Sequence, residues 1–271
     1  MEYKLIALDM DATALTPDKR LTRKTAETME RALAAGKQVV FSTGRNISIV
    51  KPYMAQVRGM RWAVTGSGAA ANDVETGARL FEKNIDAETI KWIIGASAGT
   101  DLMPILYIGD VSYCPDWAPE RAAEFFVGAY AGMYRDYMTK CPDVFQMFME
   151  DPKPVQKLNL VFTDRAEKDF VYDQIKLLPL KFTTITELTM EINAPGVSKA
   201  DGLRRLCGHL GVGMEECVAV GDAENDLELI RAAGLGVAMG NAESAVKAAA
   251  GAVVADCLHD GAAEAIERFI L

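Results

Sequence analysis

Three short runs, Tyr3–Leu8, Val39–Phe41 and Trp62–Val64, are apolar almost throughout, and segments with helical periodicity separate them. A strand with one wet face alternates apolar and polar residues, whereas a run without alternation is buried on both faces, as strands of a parallel sheet are. The order strand, helix, strand then calls for right-handed crossovers and helices on both faces. One such helix is written between the first two runs, with Thr22 as N-cap, Ala26, Met29 and Leu33 on one face, and Gly36 as the stop. A further helix is expected after Arg45. The alternation resumes near the C-terminus as helix Ser198–Leu210, strand Val218–Gly221, helix Asn225–Ala233, strand Gly236–Met239, helix Ala242–Ala249, strand Val253–Val254 and helix Gly261–Phe269. The fold class that follows is α/β, built on a doubly wound parallel sheet.

Between about Glu82 and Glu191 the texture changes. Aromatic residues and methionines concentrate in Tyr107–Met149, and Pro104, Pro115, Pro119, Pro142, Pro152 and Pro154 interrupt the pattern. Strands are expected at Leu158–Phe162, Phe182–Ile185 and Leu188–Ile192, and helices at Ala87–Ala98, Glu120–Tyr130 and Ala166–Leu177. This mixed order describes an inserted α+β module with an antiparallel sheet. Residues 1–82 and 191–271 then form the core and 83–190 the insert, a division that 271 residues easily accommodate.

The net charge of -9 argues against nucleic acid or an anionic membrane surface as the partner. An anionic ligand would need a metal or a few well-placed cations. The five cysteines are scattered and form no CxxC pair, so they read as reduced thiols. With neither a signal peptide nor an apolar run of membrane length, the expected location is the cytoplasm. His209 and His259 are the only histidines, which leaves no evident Ser-His-Asp set or zinc site.

In a doubly wound sheet, ligands bind beyond the carboxyl ends of the strands. Those ends carry Asp9, Met10, Asp11, Ala12 and Thr13 after the first strand, and Ser42, Thr43, Gly44 and Arg45 after the second. Lys199 opens a later helix, and Asp222, Glu224, Asn225 and Asp226 follow Val218–Gly221. On an extended chain Asp9 and Asp11 point the same way and Met10 the other. Hard oxygen ligands without nearby His or Cys select magnesium over zinc. Asp9 and Asp222, with a backbone carbonyl from position 11, would suffice. Ser198 and Asp201 have capping-box spacing. A lysine beside that cap opposes the helix dipole, which favours a functional task for Lys199.

These residues resemble a known set. "DMDAT" resembles the DxDxT signature of the haloacid dehalogenase-like (HAD) phosphatases, and "VVFSTGR" their second motif. Lys199 in "GVSKADGL" resembles the third, and "GDAENDLEL" the fourth, GDxxND. The order of motifs and the position of the insert resemble the Cof-type, class IIB members. The resemblance implies a Rossmann-like core with a cap that sets specificity, and a Mg2+-dependent phosphoric monoester hydrolase acting on small phosphorylated metabolites, commonly sugar phosphates. It implies that Asp9 is the nucleophile forming an aspartyl-phosphate and that Asp11 is the general acid and base. Thr43 and the Gly44 amide would hold phosphate oxygens, and Lys199 would neutralise charge. Asp9, Asp11 and Asp222 would serve the metal. Asn225 would bind phosphate, Asp226 would position Lys199 or a metal-bound water, and Thr13 would tie down the loop. Met10 and Arg45 are placed with the substrate contacts, although Arg45 also fits a plain helix start. A phosphoacceptor signalling module and a phosphosugar mutase are the rival readings.

Two departures stand out. The family usually has glycine where Ala12 stands and leucine where Ala14 stands, and alanine tolerates a positive φ poorly. "TGSGAA" has the spacing of a dinucleotide loop, but it follows the third strand rather than the first, so nicotinamide binding is not expected.

Overall fold

The computed structural model describes residues 2–271, at Ile185 the backbone only. Its contacts divide the chain into two compact units. The first comprises the chain up to Arg45, Val50–Phe81 and Ser198–Leu271, and the second Asn46–Ile49 and Glu82–Val197.

The chain begins with β1 (Leu5–Leu8), buried at every position, and α1 (Arg23–Ala34). Thr22 caps α1 by accepting a hydrogen bond from the Thr25 amide at 3.1 Å. The buried stripe of α1 is Thr25, Thr28, Met29 and Ala32 rather than the Ala26, Met29 and Leu33 face expected. Threonine methyls satisfy the i, i+3, i+4, i+7 spacing of a buried face, and a reading by hydrophobicity overlooks them. Next come β2 (Gln38–Ser42), α2 (Ile47–Met54) and β3 (Trp62–Thr65), then β4 (Ala70–Asp73) and β5 (Arg79–Glu82). The last two strands were not expected; in β4 the paired alanines carry little strand signal.

The second unit holds α3 (Ala87–Ala96), β6 (Leu102–Ile108), β7 (Val111–Pro115), α4 (Ala118–Arg121), α5 (Ala131–Tyr137) and β8 (Thr139–Cys141). It continues with α6 (Val144–Glu150), β9 (Lys157–Phe162), α7 (Arg165–Ile175), β10 (Lys181–Thr186) and β11 (Thr189–Asn193). Its sheet has the order β10-β11-β9-β6-β7-β8 and is antiparallel except between β7 and β8. Three expectations change here. Pro104 lies inside β6, opposite Leu160, where the β6–β7 ladder (Leu106–Ile108) has not yet begun and no amide is needed on that side. The helix expected at Glu120–Tyr130 is replaced by the short α4, a 3-10 turn at Gly128–Tyr130, and α5, with Phe126 at φ 59 between them. The chain returns to the first unit at Ser198, not 191, because β11 pairs with β9 and β10.

The return leg builds α8 (Lys199–Leu210), β12 (Cys217–Gly221), α9 (Leu227–Ala232), β13 (Leu235–Ala238), α10 (Ser244–Ala249), β14 (Ala252–Val253) and α11 (Gly261–Phe269). The eight-stranded sheet has the order β14-β13-β12-β1-β2-β3-β4-β5. It is parallel from β14 to β3, and β4 turns antiparallel. Leu5, Ala7, Val40 and Val64 pack on Leu203 and Leu206 of α8. The alternate residues face the other side, where α1 and α11 pack together. Strand order reverses between β1 and β12, so the crevice that this fold offers a ligand opens beyond Leu8 and Gly221. No helix among the described residues is long and apolar enough to cross a membrane.

Candidate active site

Asp9 extends the central ladder by one bond, its amide donating to the Val220 carbonyl at 3.0 Å. The chain then curls, with the Ala14 amide on the Asp9 carbonyl at 3.2 Å and the Leu15 amide on the Met10 carbonyl at 2.8 Å. Ala12 takes φ 55 in this curl, and its carbonyl accepts from Asn241 Nδ2 at 2.9 Å. The Thr13 hydroxyl reaches Asp222 Oδ1 at 2.7 Å and ties this loop to the one after β12.

Lys199 is 2% exposed at the start of α8, with its Nζ 2.6 Å from Asp9 Oδ1 and 2.7 Å from Asp226 Oδ1. Two glycines seat it there. Gly68 has φ 101, and any Cβ on it would collide with the Ser198 carbonyl. A Cβ on Gly202 would meet Val64 and the Gly68 backbone. The Gly-x-Gly after β3 therefore lets the start of α8 approach the sheet and does not form a dinucleotide loop. Ser198 Oγ accepts from the Asp201 amide at 3.1 Å, which satisfies one orphan donor of that helix.

Asp9, Asp222 and Asp226 each place a carboxylate oxygen within 4.8 Å of the others. Asp226 is fully buried and committed, since Oδ1 meets Lys199 while Oδ2 accepts from the Asp222 and Ala223 amides at 3.0 and 3.2 Å. Asp9 and Asp222 each retain Oδ2 for a ligand. Three carboxylates around one lysine leave buried negative charge in excess, which a hard divalent cation would neutralise. The strain is visible in the acids themselves. Burial pushes Asp9 up to about 8 against the pull of Lys199, with Asp226, Asp222 and Asp11 adding to the rise. Burial likewise raises Asp222 to about 6, partly offset by the Thr13 hydroxyl. Lys199 stays firmly protonated, because Asp226 and Asp9 outweigh the burial that opposes its charge.

The Asp11 side chain goes elsewhere. Arg45 grips it with Nε on Oδ2 at 2.9 Å and Nη2 on Oδ1 at 2.6 Å, and Lys19 Nζ adds a contact at 2.7 Å. Burial alone would raise its pKa, but the two cations hold it at about 2. Asp9 and Asp11 diverge because β1 ends at Leu8 and the loop is curled rather than extended. Thr43 is buried, its Oγ1 accepting from the Arg45 amide at 3.2 Å, with Gly44 between them. Met10 is wholly buried, and Asn225 is half-buried on the loop before α9. Lys19 and Asn241 were missed in the sequence. Lys19 lies in the turn Thr16-Pro17-Asp18, which announces a bend but not where its lysine points.

An acid cluster and a buried lysine at the switch point of a mostly parallel sheet suit hydrolytic chemistry on an anionic group. The family model for haloacid dehalogenase-like hydrolases matches residues 6–266, and the chain belongs to that family. Its relatives include a 5-amino-6-(5-phospho-D-ribitylamino)uracil phosphatase of Bacillus subtilis, 25% identical over 100% of this chain and 97% of that one. An HMP-PP phosphatase of Serratia proteamaculans is 28% identical over 89% and 85% of the two chains. Among solved structures, a haloacid dehalogenase-like hydrolase from Bacteroides thetaiotaomicron superposes with TM-score 0.85 at 26% identity, covering 98% of this chain and 99% of that one. A HAD subclass IIB sugar phosphatase shares the fold, with TM-score 0.81 at 23% identity over 99% and 100% of the chains. The protein is thus a haloacid dehalogenase-like hydrolase with the fold of that subclass IIB structure.

Proposed function

We propose that the protein is a magnesium-dependent phosphatase of small phosphorylated metabolites, foremost sugar phosphates, acting through an aspartyl-phosphate on Asp9. The observation that carries this reading is the buried Asp9, 2.6 Å from Lys199 and clustered with Asp222. Asp9, Asp222 and the backbone carbonyl of Asp11 would hold the metal. Magnesium, when bound, would screen the repulsion between Asp9 and the phosphoryl group. Asp9 attacks phosphorus. Lys199 lowers the charge around the nucleophile, with Asp226 fixing its ammonium. Thr43, the Gly44 amide and Asn225 hold phosphate oxygens, while Met10 and Arg45 meet the substrate. Asp11 protonates the leaving oxygen and then takes a proton from the hydrolytic water.

The named activities of the Bacillus and Serratia relatives, both phosphatases of small molecules, support the substrate class. The inserted unit would contribute to the choice of leaving group. A cytoplasmic location is part of this reading, since all five cysteines are free thiols.

The test is hydrolysis of p-nitrophenyl phosphate and a panel of phosphorylated metabolites with magnesium, in water enriched in oxygen-18. The wild type should turn over and place label in inorganic phosphate. Asp9→Asn should lose about 10³-fold or more in kcat while melting like the wild type. Near-normal turnover by Asp9→Asn would refute the covalent mechanism. A long-lived phosphoryl-Asp9 would mark a phosphoacceptor module, and transfer without label a mutase.

A further inference from the structure

The Asp11 carboxylate is gripped by more positive charge than one carboxylate needs. Arg45 meets it side-on through two hydrogen bonds and Lys19 adds a third. Arg45 is 4% exposed, yet its buried Nη1 has no hydrogen-bond partner among the described residues. An idle buried donor carries an uncompensated desolvation cost, and such a group calls for a partner that arrives from outside. Lys19 is placed by a strained backbone. It has φ 61, its amide donates to the Thr16 carbonyl at 2.8 Å, and its carbonyl accepts from the Tyr53 hydroxyl at 3.1 Å. A non-glycine residue in the left-handed region marks a position that the surroundings enforce. The Tyr53 ring also lies 5.2 Å from Arg45 Cζ, so one tyrosine steadies both cations.

We propose that Lys19 and Arg45 form a second anion subsite, which takes a carboxylate or a second phosphate on the leaving group of the substrate. In this structure the Asp11 carboxylate fills it. The inference rests on the phosphatase reading and narrows its substrate class to phosphoesters that carry another anionic group. The donors facing Asp11 present the side-on fork that recognises an oxyanion, and Arg45 Nη1 supplies one more. Exchanging the internal carboxylate for the substrate's leaves both cations neutralised. It also frees Asp11, two residues from Asp9, for the proton transfers assigned to it. A leaving group without charge offers nothing to exchange, so Asp11 stays paired and turnover is slower.

Two matched pairs test this. In 3-phosphoglycerate against glycerol 3-phosphate a carboxylate replaces a hydroxymethyl group, and in fructose 1,6-bisphosphate against fructose 6-phosphate a phosphate replaces a hydroxyl. The wild type should favour the anionic member of at least one pair by about tenfold or more in kcat/KM. The pair that responds tells carboxylate from phosphate. Lys19→Asn and Lys19→Gly suit a left-handed backbone, so they should fold with an unchanged or higher Tm. Both should collapse the preference towards one, mainly through KM, while Lys19→Arg retains it. A wild-type ratio at or below one in both pairs, or a ratio that survives Lys19→Asn, would overturn the subsite. Calorimetric binding of the same four compounds to the wild type and Lys19→Asn separates the same outcomes without turnover. Loss of p-nitrophenyl phosphate hydrolysis would count against the phosphatase reading alone.

Discussion

Ala12 holds a backbone conformation that its own side chain resists. Its φ of 55 lies where Cβ crowds the following carbonyl, and the curl of the Asp9–Leu15 loop and the Asn241 contact help to keep it there. Replacing it with glycine removes the clash at the cost of some chain entropy. Ala12→Gly should therefore stabilise the protein by about 0.5–1 kcal/mol, seen as a higher urea midpoint at constant m-value. A lower midpoint would mean that the loop is not strained. Residue by residue, the sequence was most readable where chemistry sits at a strand end. Asp9 and Asp222 could be picked out because charge placed straight after an apolar run has to be accounted for, and Lys199 because a cation beside an N-cap opposes the helix dipole. Lys19 could not, since its reach to Asp11 depends on a left-handed turn that a lysine gives no sign of adopting. The divergence of Asp9 and Asp11 escaped for the same reason, the two-residue rule holding only while the chain stays extended.

At the scale of elements, one joint seats a site residue and another holds the far end of the sheet. The first is the seat of α8 on the turn after β3. A methyl on Gly202 would drive into Val64 and the Gly68 backbone, and backbone cannot step aside cheaply. Gly202→Ala should cost about 1–3 kcal/mol of stability and also lower turnover by shifting Lys199. Unaltered urea melts would show that the contact is slack. The second joint is the open end of the β3–β4 pair, where Asp73, opposite Trp62, accepts from Arg61 Nε at 3.0 Å and Nη2 at 2.7 Å. It also accepts from the Glu75 and Thr76 amides. Arg61 above all holds Asp73 at about 2, down from an ordinary 3.8. The folded value lies below the unfolded one, so the stabilisation is complete above about pH 4 and disappears as the pH falls towards about 2. Asp73→Asn should be weaker than the wild type by about 1–2 kcal/mol at pH 7, with the gap closing in acid. A gap independent of pH would assign it to the amide contacts instead. The elements themselves were legible where periodicity was clean, as in α11, and illegible where alanines or prolines blurred it, as in β4 and β6.

The whole molecule solves a problem of distance. Thr13 and Asp222 lie 209 residues apart, Lys199 and Asp9 190 apart, and a complete second unit is spliced between them. The change of texture near Glu82 made that splice readable, but its end was not. The chain leaves through β11, whose apolar residues look the same whether they belong to one sheet or the other, and only the pairing with β9 decides. What closes the gap electrostatically is incomplete, because the fold draws three carboxylates around one ammonium and leaves negative charge buried. A divalent ion that binds only the folded chain must then stabilise it by mass action, by about 2.7 kcal/mol at a hundred times its Kd. Magnesium should accordingly raise Tm relative to EDTA. Asp222→Asn removes one of the crowded charges while Asn Oδ1 can still accept from Thr13. In EDTA that variant should melt at or above the wild type, and in magnesium it should gain little. The two effects oppose each other only if the carboxylates serve a cation. If Asp222 were a structural acceptor alone, its replacement would lower Tm equally in both buffers, and calorimetry of the two proteins with and without magnesium separates these outcomes.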